Sequence, residues 1–432
     1  MREVVYAGAH LGYDTGKVPV GGGAQVGIHL IRQWVKQPRF SLTVLGSGPI
    51  PPVDSQHVRY VHIPWHVPGQ EGTLTDLSVR GYASFSRQFE RGVTEFLREY
   101  ARDRTPRRIC VIHNDICEAG DFAAIGRMGY RQVAIFHVDV VDYTASIYLR
   151  GVVSAPTLAR VYRGFARLGG AYFLPDVARL ILEKQETCAK YCDLLVVPSR
   201  EMAEVIRASY PWRTDEDVLV IPWGAIVEEP PSGVEEEMRR ISAQYGLDGS
   251  APVLVALSRI SPEKGQDLLL RALRGWERRG GGKLVALICG APAFIHGQGY
   301  MRRLRRLASR LRRVEVHFPG YVTGARKAAL FRLADLYVFP SRHESYGLTL
   351  VEALSAGLPV LTTDHRSARD LVRPEFGRVV PPTPAGVYQG LRELLSRREA
   401  LSEMGTRARA FAAGLRFELA AARLAEAIEG LL

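Results

Sequence analysis

The stretch F-P-S-R-H-E-S-Y-G-L-T-L-V-E-A-L-S-A-G-L-P runs from Phe339 to Pro359. Its first half reads as a strand end and a loop, because Leu336, Tyr337, Val338 and Phe339 form an apolar run that Pro340 stops. Its second half predicts a helix. Leu348, Val351, Glu352 and Ser355 recur at helical spacing, Gly357 supplies a left-handed stop, and Pro359 stands where a helix cannot continue. A strand that passes through a glycine-bearing loop into a short helix aims the amides of Ser345, Tyr346, Gly347 and Leu348 at whatever lies above the sheet. Such a helix N-terminus prefers an anion, and phosphate is the usual one.

Two carboxylates frame the loop, Glu344 just before the helix and Glu352 inside it. Carboxylates accept hydrogen bonds from hydroxyls, so a ligand with phosphate in the middle and hydroxyls at both ends would satisfy every group. A nucleotide sugar has that layout. Taken alone, the pair would read as a solvated loop residue and a surface helix residue. The flanking string decides the matter, because it resembles the signature of the retaining GT-B glycosyltransferases of family 4. In that signature two glutamates separated by seven residues bracket a glycine and precede E-A-x-x-x-G-x-P-V. Glu344, Gly347, Glu352, Ala353, Gly357, Pro359 and Val360 all fall in place. The resemblance implies an α/β chain of GT-B type, with two Rossmann-like domains facing across a cleft and a C-terminal helix crossing back to the N-domain.

The 432 residues allow a sizeable core and two or three domains, and alternating strand and helix signals with 42 glycines favour the α/β class. Five scattered cysteines argue against a disulfide framework. Cys188 and Cys192 lie one helical turn apart without a partner at zinc-site spacing, and read as helix packing. No metal and no cofactor are expected.

The net charge is +12 and almost all of it is arginine, which suits an anionic ligand, an anionic membrane surface or nucleic acid. No zinc-finger or RNA-recognition motif accompanies the charge, so no nucleic-acid partner is expected. Between Met301 and Arg313, seven arginines surround Leu304, Leu307 and Leu311. They predict an amphipathic helix with either a solvated arginine face or a face turned to a membrane or partner. Met1 and Arg2 lead straight into a strand, and no apolar run approaches the roughly 18 residues of a membrane span. The expectation is a cytoplasmic protein, with peripheral contact at the inner face of the membrane as the alternative that helix offers.

In the N-terminal half, Glu3 to Ala7 reads as a buried strand, and Gly21, Gly22 and Gly23 open a helix to about Gln37. Glycines at a strand-to-helix junction let backbone approach a ligand. The triplet resembles the family 4 loop that faces donor phosphates and acceptor, making Gly22 and Gly23 binding candidates. Residues 54–78 read as a polar loop and 79–103 as a helix with Phe85, Phe89 and Phe96 in the core. The strand Ile109 to Ile112 delivers His113, Asn114 and Asp115 to its carboxyl end, where α/β sheets bind ligands. A loose resemblance to a family stretch makes His113 and Asp115 acceptor-side candidates. V-A-I-F-H-V-D, ending the next strand, resembles the family 4 strand whose histidine faces the transferred sugar, here His137, with Asp139 near it. Residues 151–190 read as helical and interrupted at Leu174-Pro175. V-L-V-I-P-W-G at 218–224 resembles the family's I-P-N-G turn, with Trp223 replacing Asn.

These signals divide the chain into an N-domain of residues 1–228, a nucleotide-sugar domain of 229–410, and a C-terminal helix of 411–432. Val253 to Leu257 opens the second domain and runs into S-R-I-S-P-E-K-G, residues 258–265. Arg259 offers a planar fork and Lys264 a point charge, a suitable clamp for a diphosphate. Lys264 is also one of only seven lysines in a chain that otherwise writes arginine. The stretch resembles family 4 G-R-x-x-x-x-K-G, in which these two hold the donor's phosphates. Val322, after the strand Val314 to Phe318, resembles the position where backbone meets the base. The resemblance implies transfer of a hexosyl group, with retention and without a metal, from a nucleotide diphosphate sugar to an acceptor that is a sugar, lipid-linked or a small molecule. Glu344 would hold sugar hydroxyls and Glu352 the ribose. A nucleotide-sugar epimerase, a phosphorylase, or a non-catalytic sugar-nucleotide-binding membrane scaffold could use the same plan. No G-x-G-x-x-G follows the first strand, so a dinucleotide-dependent oxidoreductase is not expected.

Overall fold

A computed structural model describes residues 2–14, 21–68, 74, 77–149, 151–226, 231–293 and 297–432. The chain forms two units, Met1–Trp223 with Glu418–Leu432, and Gly224–Phe417. The division expected at 228/229 lies outside the described residues. The return to the first unit falls at Phe417/Glu418 rather than 410/411. The helix Leu401–Ala412 stays with the second unit because Arg409 donates to the Ala356 carbonyl at 2.8 Å and closes the end of the neighbouring helix.

The first unit is built on seven parallel strands: β1 (Arg2–Ala7), β2 (Phe40–Gly46), β3 (Val58–His62), β4 (Ile109–His113), β5 (Arg131–Ile135), β6 (Leu194–Val197) and β7 (Val218–Val220). Their order is β3-β2-β1-β4-β5-β6-β7. The central strands are apolar without alternation because helices cover both faces; Val4, Val5, Tyr6 and Ala7 are all buried. β3 corrects the polar-loop reading of 54–78. Val58 pairs with Leu42 in a parallel ladder, but V-R-Y-V-H is a half-exposed edge strand and so lacks a continuous apolar run. Phe85 and Phe89 of the helix Val79–Tyr100 are buried as expected, whereas Phe96 lies at the core margin, stacked on Tyr100. The C-terminal helix Phe417–Leu431 buries Ala421, Leu424, Ala425 and Ile428 at helical spacing. The Trp34 indole donates to the Ala421 carbonyl at 3.1 Å.

The second unit has six parallel strands: β8 (Val253–Leu257), β9 (Leu284–Cys289), β10 (Val314–Gly320), β11 (Leu336–Phe339), β12 (Val360–Thr363) and β13 (Gly377–Val380). Their order is β10-β9-β8-β11-β12-β13. Between β9 and β10 the expected basic helix lies earlier in the chain than read and ends five residues sooner, at Gly297–Ala308. Arg312 and Arg313 leave it because Glu277 accepts the amides of Arg312, Arg313 and Val314 at 2.8, 2.6 and 2.8 Å and draws the chain into β10. No helix among the described residues is long and apolar enough to cross a membrane. Each sheet reverses its winding once, between β1 and β4 in the first unit and between β8 and β11 in the second. Open sheets of this kind bind ligands beyond the carboxyl ends of the strands at such a point.

Candidate active site

In the second unit the loops after β8 and β11 meet above the switch point. Gly265, at φ 66°, passes so close to Pro340 that a Cβ would lie 1.9 Å from the Pro340 carbonyl oxygen. The Arg342 amide donates to the Glu263 carbonyl at 2.7 Å, and its guanidinium forms a fork on Asp267 at 2.9 and 3.1 Å. This stitching brings the Lys264 ammonium onto Oε2 of Glu344, while Oε1 accepts the Ser345 amide at 3.2 Å. Burial would push the Glu344 carboxyl up, but Lys264, with smaller pulls from His365 and Arg259, holds it down to about 2. His365 is pushed the other way, to about 4, by burial and then by Lys264, against the pull of Glu344. It is therefore neutral at pH 7, with Nε2 against Thr362 Oγ1 at 2.9 Å and Nδ1 against Ser367 Oγ at 3.3 Å.

Gly347, at φ 88°, caps the helix Leu348–Ser355, a left-handed conformation that only glycine adopts without strain. Ser345 and Tyr346 are buried at that N-terminus, and the Tyr346 carbonyl is held by Ser367 Oγ at 2.5 Å. Further along the helix, Glu352 Oε1 is paired with Lys327 at 2.8 Å, and its buried Oε2 has no hydrogen-bond partner among the described residues. Lys327 lies on the helix Gly324–Leu333, which follows the buried Val322 directly. The base-side and ribose-side candidates therefore share one end of the unit. Arg259 is exposed on the loop after β8, close enough to Glu344 for its charge to act on that carboxyl.

In the first unit a second cluster forms above the β1/β4 switch point, with Asn114 at its centre. Its Oδ1 accepts the Tyr6 hydroxyl at 2.5 Å and lies 3.2 Å from His137 Nε2, and its amide donates to Gly23 O at 3.3 Å and to Asp115 Oδ2 at 3.0 Å. Because Asn114 Oδ1 can only accept, His137 carries its proton on Nε2 and leaves Nδ1 as an acceptor. Burial lowers the His137 pKa against the opposing charge of Asp115, which keeps the ring neutral. The Trp223 ring lies 6.1 Å from it, so the residue that breaks the expected I-P-N-G pattern forms a wall of the cluster. The helix Gly22–Lys36 starts here without side chains in the way. A Cβ at Gly23 would lie 2.7 Å from His137 Cδ2, and one at Gly27 would lie 2.9 Å from Asn114 Oδ1. Gly22 is exposed at the same helix start.

His113 does not join this cluster. It is fully buried with Nε2 3.1 Å from Gln132 Oε1 and its ring 4.7 Å from Phe122, and burial lowers its pKa to about 3. It is a core residue on the opposite face of the chain from Asn114, as adjacent strand residues must be. Asp139 is spent on capping, accepting from Val141, Asp142 and Gln185.

Residues 237–411, most of the second unit, match the family model of glycosyl transferases group 1. The second unit is a group 1 glycosyl transferase domain. This bears out the family 4 resemblance read from the sequence. The chain is 34% identical over 289 residues to a D-inositol 3-phosphate glycosyltransferase of Nocardia farcinica, covering 65% of this chain and 61% of that one. It is 31% identical over 225 residues to a GDP-mannose-dependent alpha-(1-6)-phosphatidylinositol monomannoside mannosyltransferase of Mycolicibacterium smegmatis, covering 48% and 57%. The chain thus spans less than two thirds of the length of these curated relatives. In fold it is similar to a sucrose-phosphate synthase of Thermosynechococcus elongatus, with a TM-score of 0.69 at 17% identity over 100% of this chain and 99% of that one.

Set against this domain, sequence reading missed Asn114 as the hub of the first cluster, Gly27 beneath it, and Lys327 and His365 in the second unit. Lys327 carried the signal that singled out Lys264, a lysine among arginines. Asn114 was adjacent to two candidates, and only the facing of the strand end distinguishes it.

Proposed function

We propose that the chain transfers a hexosyl group from a nucleotide diphosphate sugar to an acceptor hydroxyl, with retention at the anomeric carbon and without a metal. The observation that carries the donor half is the buried Lys264–Glu344 pair at the mouth of the β8/β11 switch point. An ammonium has three donors. With one engaged by Glu344, two remain for phosphate oxygens, and Glu344 fixes where they point. As the nucleotide diphosphate leaves, negative charge grows on it. Lys264, the fork of Arg259 and the amides of Ser345 to Leu348 would stabilise that charge from fixed positions, the most effective form of electrostatic catalysis. Glu344 stays ionised and can accept sugar hydroxyls on its remaining lone pairs. Glu352 Oε2, buried and lacking a partner among the described residues, is suited to accept from a ribose hydroxyl. We assign the acceptor to the Asn114 cluster of the first unit, and to His137 the part implied by the family 4 resemblance. The names of the relatives, which specify GDP-mannose as donor in one case and inositol-bearing acceptors in both, support a guanosine diphosphate sugar and a polyol or lipid-linked hydroxyl.

The test is thermal stabilisation by UDP-, GDP-, ADP- and dTDP-sugars, followed by product analysis with an inositol acceptor and the stabilising donor. One base should stabilise the protein, and Glu352→Ala should remove that effect. Stabilisation by none of the four would overturn the donor assignment.

A further inference from the structure

Of the thirteen large apolar side chains exposed among the described residues, eight fall between Tyr148 and Phe173 of the first unit. Exposed apolar residues scattered singly need no explanation, but a contiguous patch marks a contact surface. The helix Ala155–Arg167 makes this patch contiguous. It buries Ala155, Ala159 and Tyr162 inward. On its outer side Val161 and Phe165 are exposed and Leu168, which ends the helix, is 88% exposed. Steps of four and three residues place them in one row. The turn that follows packs on the row, since a Cβ at Gly170 would touch the Phe165 ring at 2.5 Å. It ends in Tyr172 and Phe173, 80% and 82% exposed, with rings edge to face 5.9 Å apart.

Charge indicates what covers the patch. From Tyr143 to Pro175 there is no Asp or Glu, but there are four arginines. Arg163 turns inward to Glu186 at 2.9 Å, whereas Arg160 and Arg167, seven residues apart on the helix, are exposed together along one side of the apolar row. A second copy of the chain, docking by the same face, would set arginine against arginine without a carboxylate to separate them. A layer of anionic headgroups over hydrocarbon complements both features at once. The basic helix Gly297–Ala308 does not, because it turns Tyr300, Met301 and Leu304 inward and presents arginines outward.

We propose that the face formed by the helix Ala155–Arg167 and the Tyr172–Phe173 turn docks the first unit on an anionic bilayer surface. The aromatic and aliphatic side chains would enter the acyl boundary, and Arg160 and Arg167 would lie on phosphates. The proposal does not depend on the donor or on catalysis.

Flotation of the whole chain with vesicles of phosphatidylcholine, alone or mixed with phosphatidylglycerol, tests it. The protein should float with the mixed vesicles and be released by high salt. Arg160→Gln with Arg167→Gln should weaken partitioning about 10- to 30-fold. Tyr172→Ser with Phe173→Ser should weaken it about 10-fold or more. Both variants should keep the wild-type unfolding midpoint, since these side chains are exposed. Arg302→Gln with Arg306→Gln on the other helix should change partitioning less than about 2-fold. A wild-type chain that does not float with mixed vesicles would overturn the proposal, as would both patch variants floating like wild type. Self-association that Tyr172→Ser with Phe173→Ser abolishes, without any flotation, would assign the face to a second copy instead.

Discussion

Lys264 and Glu344 stand 80 positions apart and form one buried ion pair, so each sets the state of the other. The Glu344 carboxyl is held at about 2, below its ordinary 4.5, and a carboxylate whose pKa is depressed on folding stabilises the fold above its unfolded value. That contribution is present above pH 4.5 and lost as the pH falls through about 2; the interval corresponds to about 3 kcal/mol. Thermal unfolding midpoints should therefore fall across this window in the wild type. Lys264→Met leaves a buried carboxylate unpaired and should cost about 3 kcal/mol at pH 7, with much of the acid dependence removed. In the first unit, Gly23→Ala places a methyl group 2.7 Å from the His137 ring. The ring must move off Asn114, and the expected result is a loss of about 1 to 3 kcal/mol in stability. The His137 resonances, followed by NMR as the pH is lowered, should shift towards an ordinary imidazole titration. An unchanged His137 titration would show that Gly23 does not keep the ring in place.

At the scale of elements, two glycines separate backbone strain from lack of space. Gly265 and Gly246 have nearly the same backbone, at φ 66° and 62°. A Cβ at Gly246 meets nothing within 4 Å, whereas one at Gly265 meets the Pro340 carbonyl at 1.9 Å. Gly246→Ala should cost about 1 to 2 kcal/mol from conformation alone. Gly265→Ala should cost about 4 kcal/mol or more, because the loops after β8 and β11 must part. Urea midpoints measure both, and equal losses would refute the idea that those two loops are locked together. The same locking explains what was readable at this scale. The loop motifs carry their own spacing, so the helix start at Leu348 was foreseeable. The edge strand β3 was not, because half-exposed strands lack the apolar run that identifies the buried ones.

At the scale of the whole molecule, the chain leaves the first unit at Trp223 and returns at Glu418. Ending the chain at Phe417 should uncover the partners of Leu424 and Ile428, a loss of about 4 kcal/mol. Calorimetry should show the first unit's transition lowered by about 10 °C, with the second unit's transition left in place. Two parallel α/β sheets were legible in the sequence because strands buried on both faces are written as unbroken apolar runs. The residues proposed for the donor stand out in the sequence because a strand, a glycine and a helix start fall within a few positions, the local plan that suits a phosphate. Which groups touch was not legible. Tyr6, Gly23, Gly27, Asn114 and His137 come from separate parts of the chain, and only the order β1-β4-β5 sets them around one amide. His113 and Asn114 are neighbours in sequence and part company because successive side chains at a strand end point to opposite faces, placing one in the core and the other in the cluster. Local pattern determines which elements form and which chemistry they carry. Contact between residues distant in sequence depends on strand order and facing, and these are decided by how whole faces bury against one another.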